Sequence, residues 1–354
     1  MKLSIVIPVY HVEKYIQRCL ESVMSQDLAG SEVECILVDD CGVDGSMDVV
    51  RRTIEAYHGP ICFQVLSHDV NRGLSAARNT GVSHSTGDYV LFMDSDDYLT
   101  PDGLTYLLQQ QQAHPEADLV IGNALMKKDG KLLHPNLSEP WLIDSPDIFF
   151  RRMLRHQIYL YAWNKLIRRS VLTENKVTFI EGILYEDQSW SYHLFSVVSS
   201  VLLLPQVTYM YEWNDSSIVH AQLTLERADK TVNSYIISTR WLLQHHPIAQ
   251  QYAGNMAVDY LMFIANYLQN AIDIAQRNKV SPDVLRHLRT VKTALLLRSL
   301  RYDRMLVTLF LLTMFWPLRL LQWLRSYRHH YYEIEWVVNR LAHLADPLHR
   351  KKSL

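Results

Sequence analysis

The chain has 354 residues, 48% of them hydrophobic, so it is long enough for a catalytic domain plus an appendage. Its formal net charge of −2 leaves no overall excess of one sign. It carries four cysteines without a C-x-x-C pair, which argues against a disulfide framework or a zinc ribbon and favours a reducing cytoplasm: Cys19, Cys35, Cys41 and Cys62. Because the chain opens directly on an apolar segment, we expect no secretory signal.

The first hundred residues alternate between strand and helix patterns. Residues 3–10 (LSIVIPVY) form a near-continuous apolar run that is too short and too β-branched for a helix. Residues 13–24 have helical spacing of apolar residues. Residues 34–40 (ECILVDD) predict a second buried strand, which ends in two carboxylates, and residues 63–66 predict a third. This alternation predicts βαβ units and a parallel sheet.

Residues 89–97 (YVLFMDSDD) are the most informative segment of the chain, since a buried strand ends there in three carboxylates. Such groups repel one another and are costly to desolvate unless a cation neutralises them. Hard oxygen ligands favour Mg²⁺ or Mn²⁺ carrying a phosphate-bearing substrate. The alternative is an acidic loop that caps the helix predicted to start at residues 100–102. Two strands ending in carboxylates at one edge favour the ligand site.

Six motifs occur in an order and spacing that resemble family 2 glycosyltransferases of bacterial polysaccharide biosynthesis: SIVIPVY (4–10), VDD with DGS (38–40, 44–46), NRGLSAARN (71–79), DSDD (94–97), WNKL (163–166) and YED (185–187). The resemblance covers residues 1–220. It implies an α/β fold of the GT-A type, with a Rossmann-like, mostly parallel sheet. Residues 1–110 would bind the nucleotide-sugar, residues 111–220 would form the acceptor side, and residues 221–354 would add a C-terminal α-helical extension.

The resemblance also implies a donor site and a metal site. The implied donor-binding residues are Pro8, Val9, Tyr10, Glu13, Asp39, Asp40, Asn71, Arg72, Gly73, Arg78, Asp94 and Ser95. Asp39 suits the imide N–H of uracil or a ribose hydroxyl, and an arginine near a helix start suits a diphosphate. For Arg78 the alternative is an ion pair with Asp94 or a neighbour. Asp96 and Asp94 form a D-x-D pair, implied to hold Mn²⁺ or Mg²⁺.

Glu186 and Asp187 are the second chemical centre that the resemblance implies, with Asp187 favoured as the general base. An inverting transferase needs one carboxylate to remove the proton of the acceptor hydroxyl. The alternative is that Asp187 caps a helix starting near Gln188. Trp163 and Trp190 are candidates for a sugar-stacking wall, and core packing explains either tryptophan equally well.

These features predict an inverting, metal-dependent glycosyltransferase that moves a sugar from a nucleotide-diphosphate donor. A UDP-sugar is the favoured donor, and a glycan or lipid-linked saccharide of a surface polysaccharide is the expected acceptor, with no nucleic-acid partner. A nucleotidyl- or phosphoryl-transfer enzyme is an alternative, but it should have a Gly-rich loop near the N-terminus, and no glycine precedes Gly30. A non-catalytic scaffold, the other alternative, would be expected to have lost Asp96 or the Glu-Asp pair.

The C-terminal part differs in composition. Residues 225–244, 256–274 and 283–300 have helical spacing of apolar residues. From Arg286 onward, 13 Lys and Arg face 4 Asp and Glu, a local charge of +9. Such an asymmetry indicates an anionic partner.

Residues 305–316 form a twelve-residue run that is mostly apolar and too short to span a bilayer. An interfacial helix with Trp316 and Trp323 near the lipid headgroups fits this run, and a buried helix of a small bundle is the alternative. With the neighbouring basic charge, the run predicts a cytoplasmic protein in peripheral contact with the anionic inner face of the plasma membrane.

Overall fold

A computed structural model of the chain describes residues 1–134, 136–154, 157–213, 224–245, 263–264, 268–275, 277–278 and 280–300, with only the backbone for 292 and 295–300. The chain divides into two compact units, Met1–Val291 and Lys292–Leu354. The predicted domain boundary at residue 220 lies outside the described residues and stays a prediction.

The secondary structure alternates as the apolar patterns predict. The strands are β1 (Lys2–Val9), β2 (Glu32–Asp39), β3 (Cys62–Ser67), β4 (Tyr89–Phe92), β5 (Tyr98–Leu99), β6 (Leu119–Met126), β7 (Lys131–Leu132), β8 (Trp141–Ile143), β9 (Lys165–Arg168) and β10 (Val201–Tyr211). The helices with defined bounds are α1 (Ile16–Met24), α2 (Ser46–Glu55), α3 (Leu74–His84), α4 (Gly103–Ala113), α5 (Pro146–Leu154), α6 (Arg169–Glu174), α7 (Glu186–Val197), α8 (Leu225–His245) and α9 (Pro282–Leu300).

One half of the sheet is parallel and brings its strand ends to a common edge. Its strand order is β3-β2-β1-β4, and all three pairings run parallel. Val9 pairs with Asp39, and Asp39 pairs with Ser67, so the carboxyl ends of β1, β2 and β3 are in register. Seven of the eight residues of β1 are buried, as expected for a central strand covered on both faces. The predicted parallel sheet is confirmed here.

The other half of the sheet is mixed. Strand β9 runs antiparallel between β4 and β6, whereas β10 lies parallel to β6 and antiparallel to β5. A chain segment that comes more than a hundred residues after β4 therefore returns to the loop that follows β4. The predicted α/β fold class is confirmed, with an antiparallel strand inserted into the sheet.

Helix α3 packs unusually close to the sheet. A Cβ atom added to Gly81 would lie 2.2 Å from Cγ1 of Val6 in β1, so only glycine permits this approach. Gly73, just before the helix, has φ of +88°, a conformation that L side chains rarely adopt. These two glycines fix where α3 starts and how closely it lies against β1, and they thereby position Arg78.

The C-terminal helices agree with their apolar spacing where the structure describes them. Helices α8 and α9 confirm the patterns at residues 225–244 and 283–300. Of the pattern at 256–274, residues 263–264 and 268–274 are described, and they are helical. The run at 305–316 lies outside the described residues. No helix among the described residues is long and apolar enough to cross a bilayer.

Candidate active site

The loop of residues 94–97 after β4, here called the D-S-D-D loop, holds its carboxylates in two environments. Asp97 is fully buried; it accepts hydrogen bonds from the Tyr209 hydroxyl (2.7 Å) and from the backbone N–H of Glu212 (2.8 Å). Burial and the charges of Asp96 and Asp94 raise the pKa of Asp97 well above its usual range. Asp94 and Asp96 are partly exposed. Asp97 thus ties the loop to the end of β10, and the D-x-D pair stays accessible.

The donor set of this loop fits a divalent cation that is completed by substrate. Asp94 and Asp96 supply hard carboxylate oxygens, which Mg²⁺ and Mn²⁺ prefer. No cluster of three or more metal-ligating side chains that could enclose an ion occurs among the described residues. Mg²⁺ commonly takes one or two protein carboxylates and fills its other positions with phosphate oxygens and water. Burial is the main cause of the raised pKa of Asp97, and the charges of Asp96 and Asp94, which such an ion would offset, add to it.

The residues predicted to meet the base and ribose lie at the ends of β1 and β2. Pro8 and Val9 are buried within β1, and Val9 pairs with Asp39. Tyr10 follows them and is 47% exposed. The carboxylate of Asp39 accepts a weak hydrogen bond from the N–H of Gly42 (3.3 Å). An exposed aromatic ring and a carboxylate therefore lie at neighbouring strand ends.

Glu13 takes part in a reciprocal arrangement between the β1–α1 and β2–α2 connections. Its backbone N–H donates to the carboxylate of Asp44 (3.2 Å), and its own carboxylate accepts from the N–H of Gly45 (3.2 Å). Asp44 also accepts from the hydroxyl of Ser46 at 2.7 Å. Glu13 therefore contacts the connection between β2 and α2. Its predicted contact with the donor stays a prediction.

Asp40 is buried and holds the loop of residues 71–73, here called the N-R-G loop. One carboxylate oxygen accepts from the N–H of Arg72 (2.8 Å), and the other accepts from the N–H of Gly73 (2.7 Å). The Nδ1 of His68 lies 2.7 Å from Asp40, and its Nε2 lies 2.9 Å from the hydroxyl of Thr80 in α3. With both oxygens engaged by protein groups, Asp40 orients the start of α3.

The N-R-G loop and α3 are tied to the segment that leads into α7. Asn71 and Arg72 are exposed, and the guanidinium of Arg72 donates to Glu181 at 3.1 Å. The side-chain amide of Asn79 donates to the carbonyl of Phe179 at 2.9 Å. These contacts bring residues about 100 positions apart to one edge of the sheet.

Arg78 is the centre of the site: it is 1% exposed and joins carboxylates from two distant segments. One terminal nitrogen donates to Glu186 (2.8 Å) and Asp187 (2.9 Å), and the other donates to Asp94 (2.7 Å). Burial alone would lower the pKa of Arg78, but the charges of Asp94, Asp187 and Glu186 raise it. Of the two alternatives for Arg78, the structure contains the ion pair, and it extends to Glu186 and Asp187.

Glu186 and Asp187 form the first turn of α7, after Tyr185 in a left-handed conformation (φ +58°). No side chain caps this helix, and the carboxylate of Asp187 points to Arg78, so the cap alternative for Asp187 is wrong. Burial and the charge of Asp187 raise the pKa of Glu186 to about 7. Burial also raises the pKa of Asp187, against the opposing charge of Arg78, although its side chain stays 20% exposed.

Part of the chain matches a known protein family. Residues 4–175 match the sequence profile of glycosyl transferase family 2. Residues 4–175 therefore form a glycosyltransferase family 2 domain. EpsH of Bacillus subtilis, named as a glycosyltransferase, is 31% identical over 61% of this chain and 62% of its own length. The glycosyltransferase YibD of Escherichia coli is 25% identical over 93% of this chain and 95% of its own length.

Further relatives and solved structures extend the comparison. The poly(ribitol-phosphate) β-glucosyltransferase of Bacillus spizizenii is 30% identical, and the match covers 60% of this chain but only 32% of that protein. The crystal structure of Staphylococcus aureus TarS residues 1–349 with UDP-GlcNAc has a TM-score of 0.63 at 19% identity, covering 84% of this chain and 81% of that one. The chain thus spans less than two thirds of EpsH and about a third of the glucosyltransferase. The structural likeness confirms the predicted GT-A fold.

The site also contains a buried lysine next to Asp187, to which the sequence analysis gave no role. Lys165 donates to the backbone carbonyl of Tyr161, and its ammonium lies 3.8 Å from the ring centroid of Tyr159. Burial lowers the pKa of Lys165 well below its usual range, and the charge of Asp187 opposes that shift. The available signal was a lysine directly before the apolar pair Leu166-Ile167, since buried lysines need partners.

The two tryptophans predicted as candidates for a sugar-stacking wall belong to the core. Trp163 and Trp190 are each 1% exposed. Trp190 stacks on Phe179 with ring centroids 4.5 Å apart. Trp163 stacks between Tyr161 and Tyr209, at 4.9 Å and 4.5 Å. Neither tryptophan presents a free face to a ligand, so the sugar-stacking alternative is wrong for both.

Proposed function

We propose that this family 2 glycosyltransferase moves a sugar from a nucleotide-diphosphate donor to a saccharide hydroxyl with inversion at the anomeric carbon. The observation that carries the proposal is the Arg78 cluster. One guanidinium contacts Asp94, from the D-S-D-D loop, and Asp187, from the start of α7. Because a guanidinium spans only a few ångströms, the donor-side carboxylate and the general-base candidate are held within reach of one reacting centre.

The reaction follows from the chemistry of these groups. The acceptor oxygen attacks C1 of the donor sugar from the face opposite the diphosphate, and Asp187 takes the hydroxyl proton. A new C1–O bond forms as the old one breaks, and the electron pair of the broken bond leaves with the diphosphate oxygen. Asp96 and Asp94 would hold Mn²⁺ or Mg²⁺, whose charge neutralises the departing diphosphate. No second carboxylic acid is then needed, unlike in glycoside hydrolases.

The proposed donor is a UDP-sugar, and the proposed acceptor is a glycan or lipid-linked saccharide of a surface polysaccharide. Asp39 at the end of β2 offers an acceptor for the imide N–H of uracil. TarS, which shares the fold, has been crystallised with UDP and with UDP-GlcNAc. The mannosyltransferase PcManGT from Pyrobaculum calidifontis, at a TM-score of 0.50 and 16% identity over 89% of this chain and 87% of that one, was solved with GDP-Man and Mn²⁺.

Nucleotide titration tests this proposal directly. We expect UDP to bind more tightly than GDP or TDP. We expect Mn²⁺ to strengthen UDP binding by about tenfold, because an ion held by Asp94 and Asp96 would offset the negative charge of the diphosphate. Isothermal titration calorimetry with each nucleotide, with and without Mn²⁺, measures both effects. Asp96→Asn should lose the response to Mn²⁺, whereas Asp102→Asn, an exposed aspartate at the start of α4, should keep it. Binding of UDP that ignores the metal would contradict the proposal.

We further propose that the basic C-terminal part brings the enzyme to the cytoplasmic face of a membrane. The proposal rests on the +9 charge from Arg286 onward and on the mostly apolar run at 305–316. Each Lys or Arg near an anionic surface contributes about 1 kcal/mol, and burial of an apolar face adds a contribution that salt does not screen. Both would localise the active site near a lipid-linked acceptor.

Liposome co-sedimentation measures this interaction. We expect the full chain to sediment with anionic vesicles, less with neutral ones, and to be only partly released by high salt. A chain truncated before Met305 should stay largely in the supernatant, since it lacks the apolar run. Equal recovery of both forms in the supernatant would exclude the membrane contact and favour the packed-bundle alternative.

A further inference from the structure

A column of three parallel aromatic rings runs from the D-S-D-D loop to the surface. The rings of Tyr209 and Trp163 are 4.5 Å apart at an angle of 6°, and those of Trp163 and Tyr161 are 4.9 Å apart at 7°. The hydroxyl of Tyr209 donates to Asp97 and accepts from the N–H of Asp94 (3.2 Å). The column is therefore anchored on the loop at its inner end.

Tyr161 is the outer end of this column, and it is 40% exposed although one of its faces is covered by Trp163. Lys165 holds its backbone carbonyl. Burial and the charge of Asp187 raise the pKa of the Tyr161 hydroxyl, and burial followed by the charges of Asp97, Asp96 and Tyr161 raises that of Tyr211. The backbone N–H of Ala162, the residue after Tyr161, hydrogen-bonds to Asp187, and the ring of Tyr161 belongs to the column that ends on the D-S-D-D loop.

We propose that the outer face of Tyr161 is the platform on which the ring of the acceptor sugar stacks, and that the acceptor is a cyclic pyranose. This inference rests on the proposed transferase function and specifies its acceptor class. The hydroxyl that reacts must reach both Asp187 and the anomeric carbon of the donor, and Tyr161 borders that space. Among the described residues, Tyr10 and Tyr161 are the two exposed aromatic side chains, and Tyr161 is the one that the charge of Asp187 reaches.

The chemistry of the surface selects a pyranose over an acyclic polyol phosphate. An aromatic face carries partial negative charge and packs well against the C–H groups on one side of a six-membered sugar ring. An open polyol chain has no flat face to match it. A phosphate would also meet carboxylates here, because Arg78 is shared among Asp94, Glu186 and Asp187, and Arg72 pairs with Glu181.

The platform is held in place before the ligand arrives. Trp163, behind Tyr161, is buried, and Tyr209 behind it is fully buried and hydrogen-bonded. A tyrosine fixed in this way loses little side-chain freedom when a ligand stacks on it. The same column connects the acceptor platform to Asp97 through side-chain contacts, of which the stacking of Trp163 on Tyr209 joins distant parts of the sequence.

Saturation-transfer-difference NMR on the full chain with UDP and Mn²⁺ tests the platform without requiring turnover. The probes are methyl β-D-glucopyranoside, methyl β-D-galactopyranoside and ribitol 5-phosphate. We expect saturation of C–H groups on one face of at least one pyranoside and none for ribitol 5-phosphate. Tyr161→Leu should weaken pyranoside binding by about tenfold, whereas Tyr161→Phe should retain it. Tyr106→Leu, at a half-buried tyrosine of α4, is the matched control and should change nothing.

The outcomes separate this inference from the proposed function. Unchanged pyranoside binding by Tyr161→Leu, or stronger saturation of ribitol 5-phosphate than of either pyranoside, would overturn the platform. Where UDP-sugar is turned over, the acceptor KM should rise about tenfold in Tyr161→Leu while the UDP dissociation constant stays the same. If the unmodified chain did not bind UDP in a metal-dependent way, the proposed function itself would be refuted. Tyr161→Gln, which also removes the ring, gives the same readouts if the leucine variant does not fold.

Discussion

The variant Asp187→Asn should lose sugar transfer by a factor of about 10³ while it binds nucleotide like the unmodified chain. Asparagine keeps the shape of the side chain and can still accept a hydrogen bond from Arg78, but it cannot take a proton at neutral pH. The turnover number is measured by nucleotide release in the presence of acceptor, and the UDP dissociation constant is measured by calorimetry.

Glu186→Gln is the matched control for Asp187→Asn, because Glu186 contacts the same nitrogen of Arg78 and is the less exposed of the two. We expect Glu186→Gln to lose less turnover than Asp187→Asn. If Asp187→Asn kept near-normal turnover, the assignment of the base would be wrong. A larger loss in Glu186→Gln than in Asp187→Asn would transfer that role to Glu186.

The same assignment has a consequence for the pH dependence of turnover. A general base acts only when deprotonated, and burial raises the pKa of Asp187 above that of an ordinary aspartate. Turnover should therefore fall as the pH falls through that raised pKa, at a higher pH than a solvated aspartate would give. The control is the pH dependence of UDP binding without acceptor, which does not require the Asp187 carboxylate.

The second large effect is expected for Arg78→Leu, which should lower the free energy of unfolding by about 3–5 kcal/mol. The substitution leaves Asp94, Glu186 and Asp187 crowded without their shared counter-charge. Urea denaturation followed by circular dichroism gives the free energy of unfolding, and nucleotide release gives the accompanying loss of turnover. The free energy of unfolding of Arg78→Lys should lie between those of the unmodified chain and Arg78→Leu. An ammonium keeps the charge but lacks the planar guanidinium that contacts carboxylates from two sides.

Arg72→Leu is the control for Arg78→Leu. Arg72 also pairs with a carboxylate, Glu181, but both side chains are nearly half exposed. Exposed ion pairs typically contribute no more than about 1 kcal/mol. If both substitutions lowered the free energy of unfolding by a similar amount, burial would not be the reason why Arg78 stabilises the fold.

The parallel half of the sheet was predictable because its signal is local. In β1 and β2, runs of apolar residues end in polar ones, and this pattern depends only on residues that are neighbours in sequence. The helical spacing before Met24 likewise matched α1, whose buried residues are Ile16, Cys19, Leu20 and Val23. The inserted antiparallel strand β9 was not predicted, because its four residues are too few to distinguish a strand from a buried loop.

The candidate site was predictable in its residue types but not in its connections. The position of a strand end predicts the carboxylates at 94–97, and the resemblance to family 2 glycosyltransferases implies those at 186–187. Nothing local indicates that one guanidinium contacts both groups, since Arg78 and Asp187 are 109 positions apart. Tyr161 was missed because an aromatic residue beside Trp163 in sequence gives no sign of which ring is exposed. The contacts of Asp40 with His68 and Gly73 could not be predicted either, because they depend on the tertiary structure.

The contact between Asp97 and the end of β10 limits how this fold can be recombined. Tyr209 and the N–H of Glu212 reach Asp97 from 112 and 115 positions further along the chain. Residues 1–110, the segment predicted to bind the nucleotide, therefore cannot be exchanged independently of the end of β10. A chimera that takes residues 1–110 from one family member and the remainder from another must also match the residue at position 209, or Asp97 is left buried without its hydroxyl donor. Exchange of donor preference between such enzymes is accordingly easier by substitution within the strand-end loops than by exchange of whole segments.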